Sequence, residues 1–288
     1  VIRRLVMALA GLVLLGAAPA VETMAIPARD GVPAHMVRLR RWSPDTPGPH
    51  PLLVYEPGWN GSLDENTILM AALAKGGFDV VAIDLSTPQP PGFASQAKRL
   101  TLPMDLSSYP ALARTTAEGD WRAVLMAGDA SAVVDSLGQA APSIGILGWS
   151  FGGAVALEAC REDKRFAACL NMDGWMFGPA ADQPSPQPFM VLSGDPYPAD
   201  PVHATNPADE LDAHDGARLR ARFAAVGGIY AQIAGLQHTS FSDARGGNQT
   251  VRDLVLAFFT QTLLHQSQAI LASDHPAPDV MLHRFNGG

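Results

Sequence analysis

Six short apolar runs, at residues 51–55, 79–84, 143–147, 166–172, 189–193 and 228–234, alternate along this chain with segments of helical spacing. Runs such as Asp-Val-Val-Ala-Ile-Asp at 79–84 lack the in-and-out alternation of a half-exposed strand, so each reads as a strand buried on both faces. Residues 66–75, 120–136, 152–160, 215–225 and 249–264 read as helices between or after them. In the last of these, Val251, Leu254, Val255, Phe258 and Thr262 fall on one face at three- and four-residue steps. A doubly buried strand needs a helix above and below it. The series therefore predicts an α/β chain with a mostly parallel twisted sheet and helices on both faces, the run at 228–234 being its last strand.

A length of 288 residues at 47% hydrophobic composition is enough for one large core, and the sequence predicts a single domain over residues 21–288. The first twenty residues differ in kind. Arg3 and Arg4 precede an apolar run at 5–18, and Ala18-Pro19-Ala20 follows. This is the pattern of a secretory signal peptide cleaved after Ala20, which places the mature protein in the periplasm or outside the cell. The run is too short for a roughly 30 Å hydrocarbon core, so no stable membrane insertion is expected after cleavage. The net charge is −8 and Lys and Arg are scattered, which excludes the basic footprint of a nucleic-acid partner. The two cysteines, Cys160 and Cys169, make a bridge optional and read more simply as small buried apolar residues.

Two Pro-rich stretches, 86–116 and 178–188, interrupt the series. Both are expected to be irregular, as walls of a substrate cleft or as plain surface.

The chemistry concentrates at Gly148-Trp149-Ser150-Phe151-Gly152, a G-x-S-x-G directly after the strand at 143–147 and directly before a helical segment. A serine on a tight strand-to-helix turn has its hydroxyl exposed, and the flanking glycines remove side chains that would collide with the neighbouring strand and helix. Ser150 is thus the expected nucleophile, with the Phe151 amide at the helix N-terminus aimed at a developing oxyanion. A second oxyanion donor is expected from Pro57-Gly58-Trp59-Asn60-Gly61, at the backbone N–H of Trp59.

The base should follow the last strand. Of eight histidines only His238 sits immediately after 228–234; the others lie earlier, on the final helix or in the tail. For the acid, Asp173 and Asp195 each end a strand at a suitable point, and both stay open on position alone. Trp149, Trp175, Met176 and Phe177 cluster around these motifs and are expected to line an apolar pocket. No His-Glu-x-x-His, paired Cys-x-x-Cys or phosphate-cradling loop occurs, so neither a metal nor another cofactor is expected.

Taken together, Gly148-Trp-Ser-Phe-Gly-Gly153, Met172-Asp-Gly-Trp-Met-Phe177 and His238-Thr-Ser-Phe-Ser-Asp243 resemble segments of the plasma-type platelet-activating factor acetylhydrolases and their bacterial esterase relatives, within the α/β-hydrolase superfamily. The sequence departs from them in having Trp149 where the family usually has histidine. The resemblance implies Ser150, Asp173 and His238 as the triad, and a small-molecule carboxylic ester with a short acyl group, of phospholipid origin or otherwise, as substrate. An amide or polyester hydrolase with the same triad, or a secreted binding protein of this fold, are the competing readings.

Overall fold

Whether the apolar runs pair as expected is answered by a computed structural model that describes residues 19–137, 140–201 and 203–288. The signal peptide expected over residues 1–20 lies, up to residue 18, outside the described residues. The chain opens with β1 (Val21–Ile26), β2 (His35–Trp42) and β3 (Leu52–Glu56), then α1 (Thr67–Lys75) and β4 (Asp79–Asp84). Next come α2 (Ala94–Leu100), α3 (Tyr109–Leu137), β5 (Ile144–Trp149), α4 (Phe151–Glu162) and β6 (Phe166–Met172). The rest is β7 (Phe189–Ser193), α5 (Pro207–Val226), β8 (Gly228–Ile233), α6 (Gln249–Leu263), α7 (Ala269–Ala272) and β9 (Val280–Phe285).

The strands form one sheet in the order β1-β2-β4-β3-β5-β6-β7-β8-β9. Its centre, β4-β3-β5-β6-β7-β8, is parallel, while β1 and β2 at one edge and β9 at the other run antiparallel. Neighbouring residues of a strand serve opposite layers. Ile146 of β5 packs in one core layer with Val133 of α3, Val155 of α4 and Phe223 of α5. Leu147 belongs to the other, with Leu73 of α1 and Leu254 and Phe258 of α6. Each such side chain, taken fully out of water, contributes about 1.5–3 kcal/mol, which is why the central strands read as unbroken apolar runs.

Three expectations are corrected. The run at 228–234 is not the last strand: β9 follows and pairs with β8 antiparallel, with Val280 and Leu282 inward and Met281 outward. The stretch at 86–116 is not irregular throughout, since it holds α2 and the first turns of α3. Pro110 lies in the first turn of α3, where its missing N–H costs nothing, and Ser108 accepts from the Ala111 and Leu112 amides ahead of it. Likewise α5 begins at Pro207 rather than 215, behind an Asn206 side chain that accepts from the amides of Ala208 and Asp209. Cys160 and Cys169 are free and buried.

Candidate active site

β5 ends at Trp149 and α4 begins at Phe151, leaving Ser150 alone to reverse the chain. It does so at φ 55° and ψ −125°, a backbone conformation that a non-glycine residue adopts only under constraint. The constraint is visible on both sides: the Ser150 N–H donates to the Met172 carbonyl at 2.8 Å, and the Ser150 carbonyl accepts from Gly153 at 2.9 Å. The flanking glycines are required by closeness. A Cβ on Gly148 would lie 2.1 Å from the Gly152 backbone, and one on Gly152 would lie 2.0 Å from the Glu56 carbonyl oxygen. The turn thus presents the Ser150 hydroxyl above the C-terminal ends of the parallel strands.

His238 lies just past β8, in a short 3-10 turn (His238–Phe241). Its Nε2 is 2.9 Å from Ser150 Oγ, and its Nδ1 is 2.7 Å from Asp173 Oδ2. Asp173 stands at the end of β6 with φ 57°, its second oxygen accepting from Ser193 Oγ at 3.0 Å and the Gly194 amide at 3.3 Å. Asp195 does not reach the histidine. Its N–H donates to Ser193 Oγ and its carbonyl accepts from the Tyr230 hydroxyl, so that the two aspartates meet only through Ser193. The structure therefore joins Ser150, His238 and Asp173 in one hydrogen-bonded line and leaves Asp195 on the wall of the cleft.

Phe151 is the first residue of α4, so its N–H has no partner inside the helix. Trp59 occupies a turn closed by the Gly61 N–H donating to the Gly58 carbonyl at 2.9 Å, with Asn60 at φ 56°. Among the described residues neither the Trp59 nor the Phe151 amide is engaged in a hydrogen bond. Gly58 packs against Ser150, 3.4 Å separating a Cβ built there from the serine Cβ, which sets the two turns side by side.

The profile of the alpha/beta hydrolase fold family matches residues 51–275, most of the chain and all of this site. The chain belongs to the α/β-hydrolase fold family. Among solved structures, a ferulic acid esterase from Streptomyces cinnamoneus superposes with a TM-score of 0.64 at 19% identity, over 92% of this chain and 98% of that one. No curated protein matches the sequence.

In this α/β-hydrolase fold the cleft over Ser150 has a volume of about 1330 Å³. Trp59, Trp149, Phe151, Trp175 and Phe177 line it. Trp149 packs against His238 with ring centroids 5.1 Å apart and planes tilted by 30°, and donates its indole N–H to the His238 carbonyl. Met176, expected beside them, is corrected: it is buried in the core, while its amide donates to Asp215 at 2.6 Å. Its neighbours Trp175 and Phe177 line the cleft. Pro103 and Met104 bring the first Pro-rich stretch into the wall, whereas no residue of 178–188 lines it.

Several further residues support the site. Arg122 of α3 is buried, with its guanidinium 4.1 Å from the Trp59 ring centroid. It donates to Asn60 Oδ1, to the carbonyls of Arg99 and Leu102, and to Glu118. Asp243, five residues beyond His238, accepts from the Ile68 amide at 2.6 Å and so caps the start of α1. The walls also carry the carboxylates of Glu65, Asp195, Asp200, Asp212 and Asp215, and among the described residues no Lys or Arg lines the cleft. Burial pushes the Asp215 carboxyl up to about 7, against the Met176 amide and Arg218, which favour its charged form. Among the described residues no group of three His, Cys, Asp or Glu side chains could hold a metal, and no helix is long and apolar enough to cross a membrane.

Proposed function

We infer that this chain is a serine esterase acting by two-step acyl transfer, with Ser150 as nucleophile, His238 as general base and acid, and Asp173 as the group that orients the imidazole. The observation that carries the reading is the continuous line from Ser150 Oγ through both nitrogens of His238 to Asp173 at the floor of an open cleft. An ionised carboxylate only accepts, so Asp173 holds the proton on Nδ1 and leaves Nε2 free to take the serine proton. Oγ then attacks the ester carbonyl, and the oxyanion meets the amides of Trp59 and Phe151. The imidazolium returns its proton to the departing alcohol, leaving an acyl-enzyme. Water, deprotonated by the same nitrogen, releases the acid and restores the serine.

For the substrate, the aromatic side chains around Ser150 favour an ester with an apolar or aromatic portion, and the carboxylates on the walls rank an uncharged ester above an anionic one. Short-acyl esters are the class we propose. The structural likeness to a ferulic acid esterase makes an aromatic acyl ester a worthwhile second probe.

The test is covalent. Purified protein is incubated with a fluorophosphonate and the adduct located by mass spectrometry, beside Ser150→Ala, His238→Ala, Asp173→Asn and Asp195→Asn. Labelling at Ser150 is expected, absent in the serine and histidine variants. Asp173→Asn should lower ester turnover by about 10⁴-fold by favouring the wrong tautomer, while Asp195→Asn stays near wild type. A folded wild-type protein that takes no label overturns the reading in favour of a binding role.

A further inference from the structure

Glu65 stands between the two loops that carry the proposed chemistry. Its Oε2 accepts the Gly58 N–H at 2.9 Å, and its backbone carbonyl accepts the Asp243 N–H, in the histidine loop, at 2.7 Å. Its carboxylate lies directly over Gly61, where an added Cβ would sit 2.1 Å from Oε1. The side chain is therefore clasped between the two glycines that bracket Trp59 and Asn60.

The consequence lies in the peptide planes. The Gly58 N–H is held by Glu65, and the Gly58 carbonyl is held by the Gly61 N–H. The Trp59 N–H shares a peptide plane with that carbonyl and points the opposite way from it. With both sides of Gly58 tied, this plane is held, and the Trp59 amide keeps its direction beside Ser150. The Gly58 amide, spent on Glu65, is not itself an oxyanion donor. Glu65 also faces the cleft. Burial raises its carboxyl, while the amides of Gly58 and Ser62 and the Tyr55 hydroxyl favour its charged, accepting form.

The geometry points to Glu65 as a positioning residue for oxyanion stabilisation: it fixes the direction of the Trp59 amide and ties that turn to the loop bearing His238. This rests on the esterase reading above. Glu65 touches no reacting atom in this role, and its effect belongs to the transition state rather than to ground-state binding.

The experiment measures kcat and KM on p-nitrophenyl acetate, and the inhibition constant of a trifluoromethyl ketone, for wild type, Glu65→Ala, Glu65→Gln and Gly61→Ala. In Glu65→Ala, kcat is expected to fall about 10- to 100-fold with KM nearly unchanged, since an ill-aimed donor forfeits part of what a missing one does. The ketone, whose adduct with serine carries the oxyanion, should weaken by the same factor. Glu65→Gln keeps an oxygen that accepts the Gly58 N–H and should restore most of the rate. Gly61→Ala, which pushes the carboxylate aside without removing it, should reproduce the defect and decides the matter if Glu65→Ala does not fold. Wild-type kcat in both Glu65→Ala and Gly61→Ala, or a kcat loss with ketone affinity unchanged, overturns the role of Glu65 alone. A wild-type protein inactive on every ester overturns the esterase reading, and this role with it.

Discussion

Two turns meet at Ser150, and they are built in opposite ways. The turn at 148–152 is held by its own backbone and by glycines whose neighbours are main-chain atoms, Gly148 against Gly152 and Gly152 against Glu56. The turn at 58–61 is held by groups outside it: the Arg122 side chain under the Trp59 ring and on Asn60, the Glu65 carboxylate on Gly58, and the Leu102 main-chain carbonyl on the Trp59 indole. The first is a local solution to a steric problem. The second is a small assembly whose props lie from 7 residues away, at Glu65, to 62, at Arg122, and it should fail in parts where the first fails as a whole.

The sharpest way to break the first turn is Gly152→Ala. The new methyl would lie 2.0 Å from the Glu56 carbonyl oxygen and 2.7 Å from that of Pro57, both backbone atoms at the end of a central strand. No rotamer can relieve this contact, so β3 or α4 must move. The expected cost is about 3 kcal/mol or more, read as a lowered denaturant midpoint, with ester turnover lost in whatever fraction folds. Wild-type stability in this variant would mean that the two turns are less tightly opposed than their geometry indicates.

Arg122→Met tests the second turn and should have a smaller, divided effect. The methionine keeps an apolar stem beneath Trp59 but loses the bonds to Asn60 and to the carbonyls of Arg99 and Leu102. Glu118 keeps one partner, Arg99, so the charge left behind is not stranded. A loss of about 2 kcal/mol in stability and about tenfold in kcat is expected. Equal turnover by the variant and wild type would show that Trp59 is aimed without Arg122.

The same contrast explains how much could be read in advance. The turn at 148–152 was legible because its strand, glycines, serine and helix are contiguous, and His238 because it follows β8. The props of the other turn were not: Glu65 follows the 57–61 segment closely but no spacing ties its carboxylate to the Gly58 amide, and a buried arginine on an apolar helix face looks like any exposed one until the fold closes over it. Asp243 could be seen beside the histidine, yet its task, capping α1, depends on a helix that starts at Thr67. The early starts of α3 and α5 were hidden because Pro110 and Pro207 break a helix interior but suit a first turn. β9 was missed because a lone edge strand alternates with water on one side and leaves no continuous apolar run.

Asp215 offers the mildest test, and one that reaches the cleft wall rather than either turn. Its folded-state carboxyl is raised to about 7, from an ordinary 3.8, chiefly by burial. The folded protein thus holds this proton more tightly than the unfolded chain does. Stability contributed by the neutral form is complete below about pH 4 and is lost as pH rises through 7, because only the unfolded state gains by releasing the proton early. Asp215→Asn removes the titration while keeping an oxygen for the Met176 amide. Urea midpoints at pH 5 and pH 8 should therefore draw apart in wild type and converge in the variant. Because Asp215 opens onto the cleft and keeps contact with water, the difference should be about 2 kcal/mol rather than the full value of the shift. If both proteins fall equally between the two pH values, the proton is released by another group, and the wall at Asp215 is charged in the working enzyme.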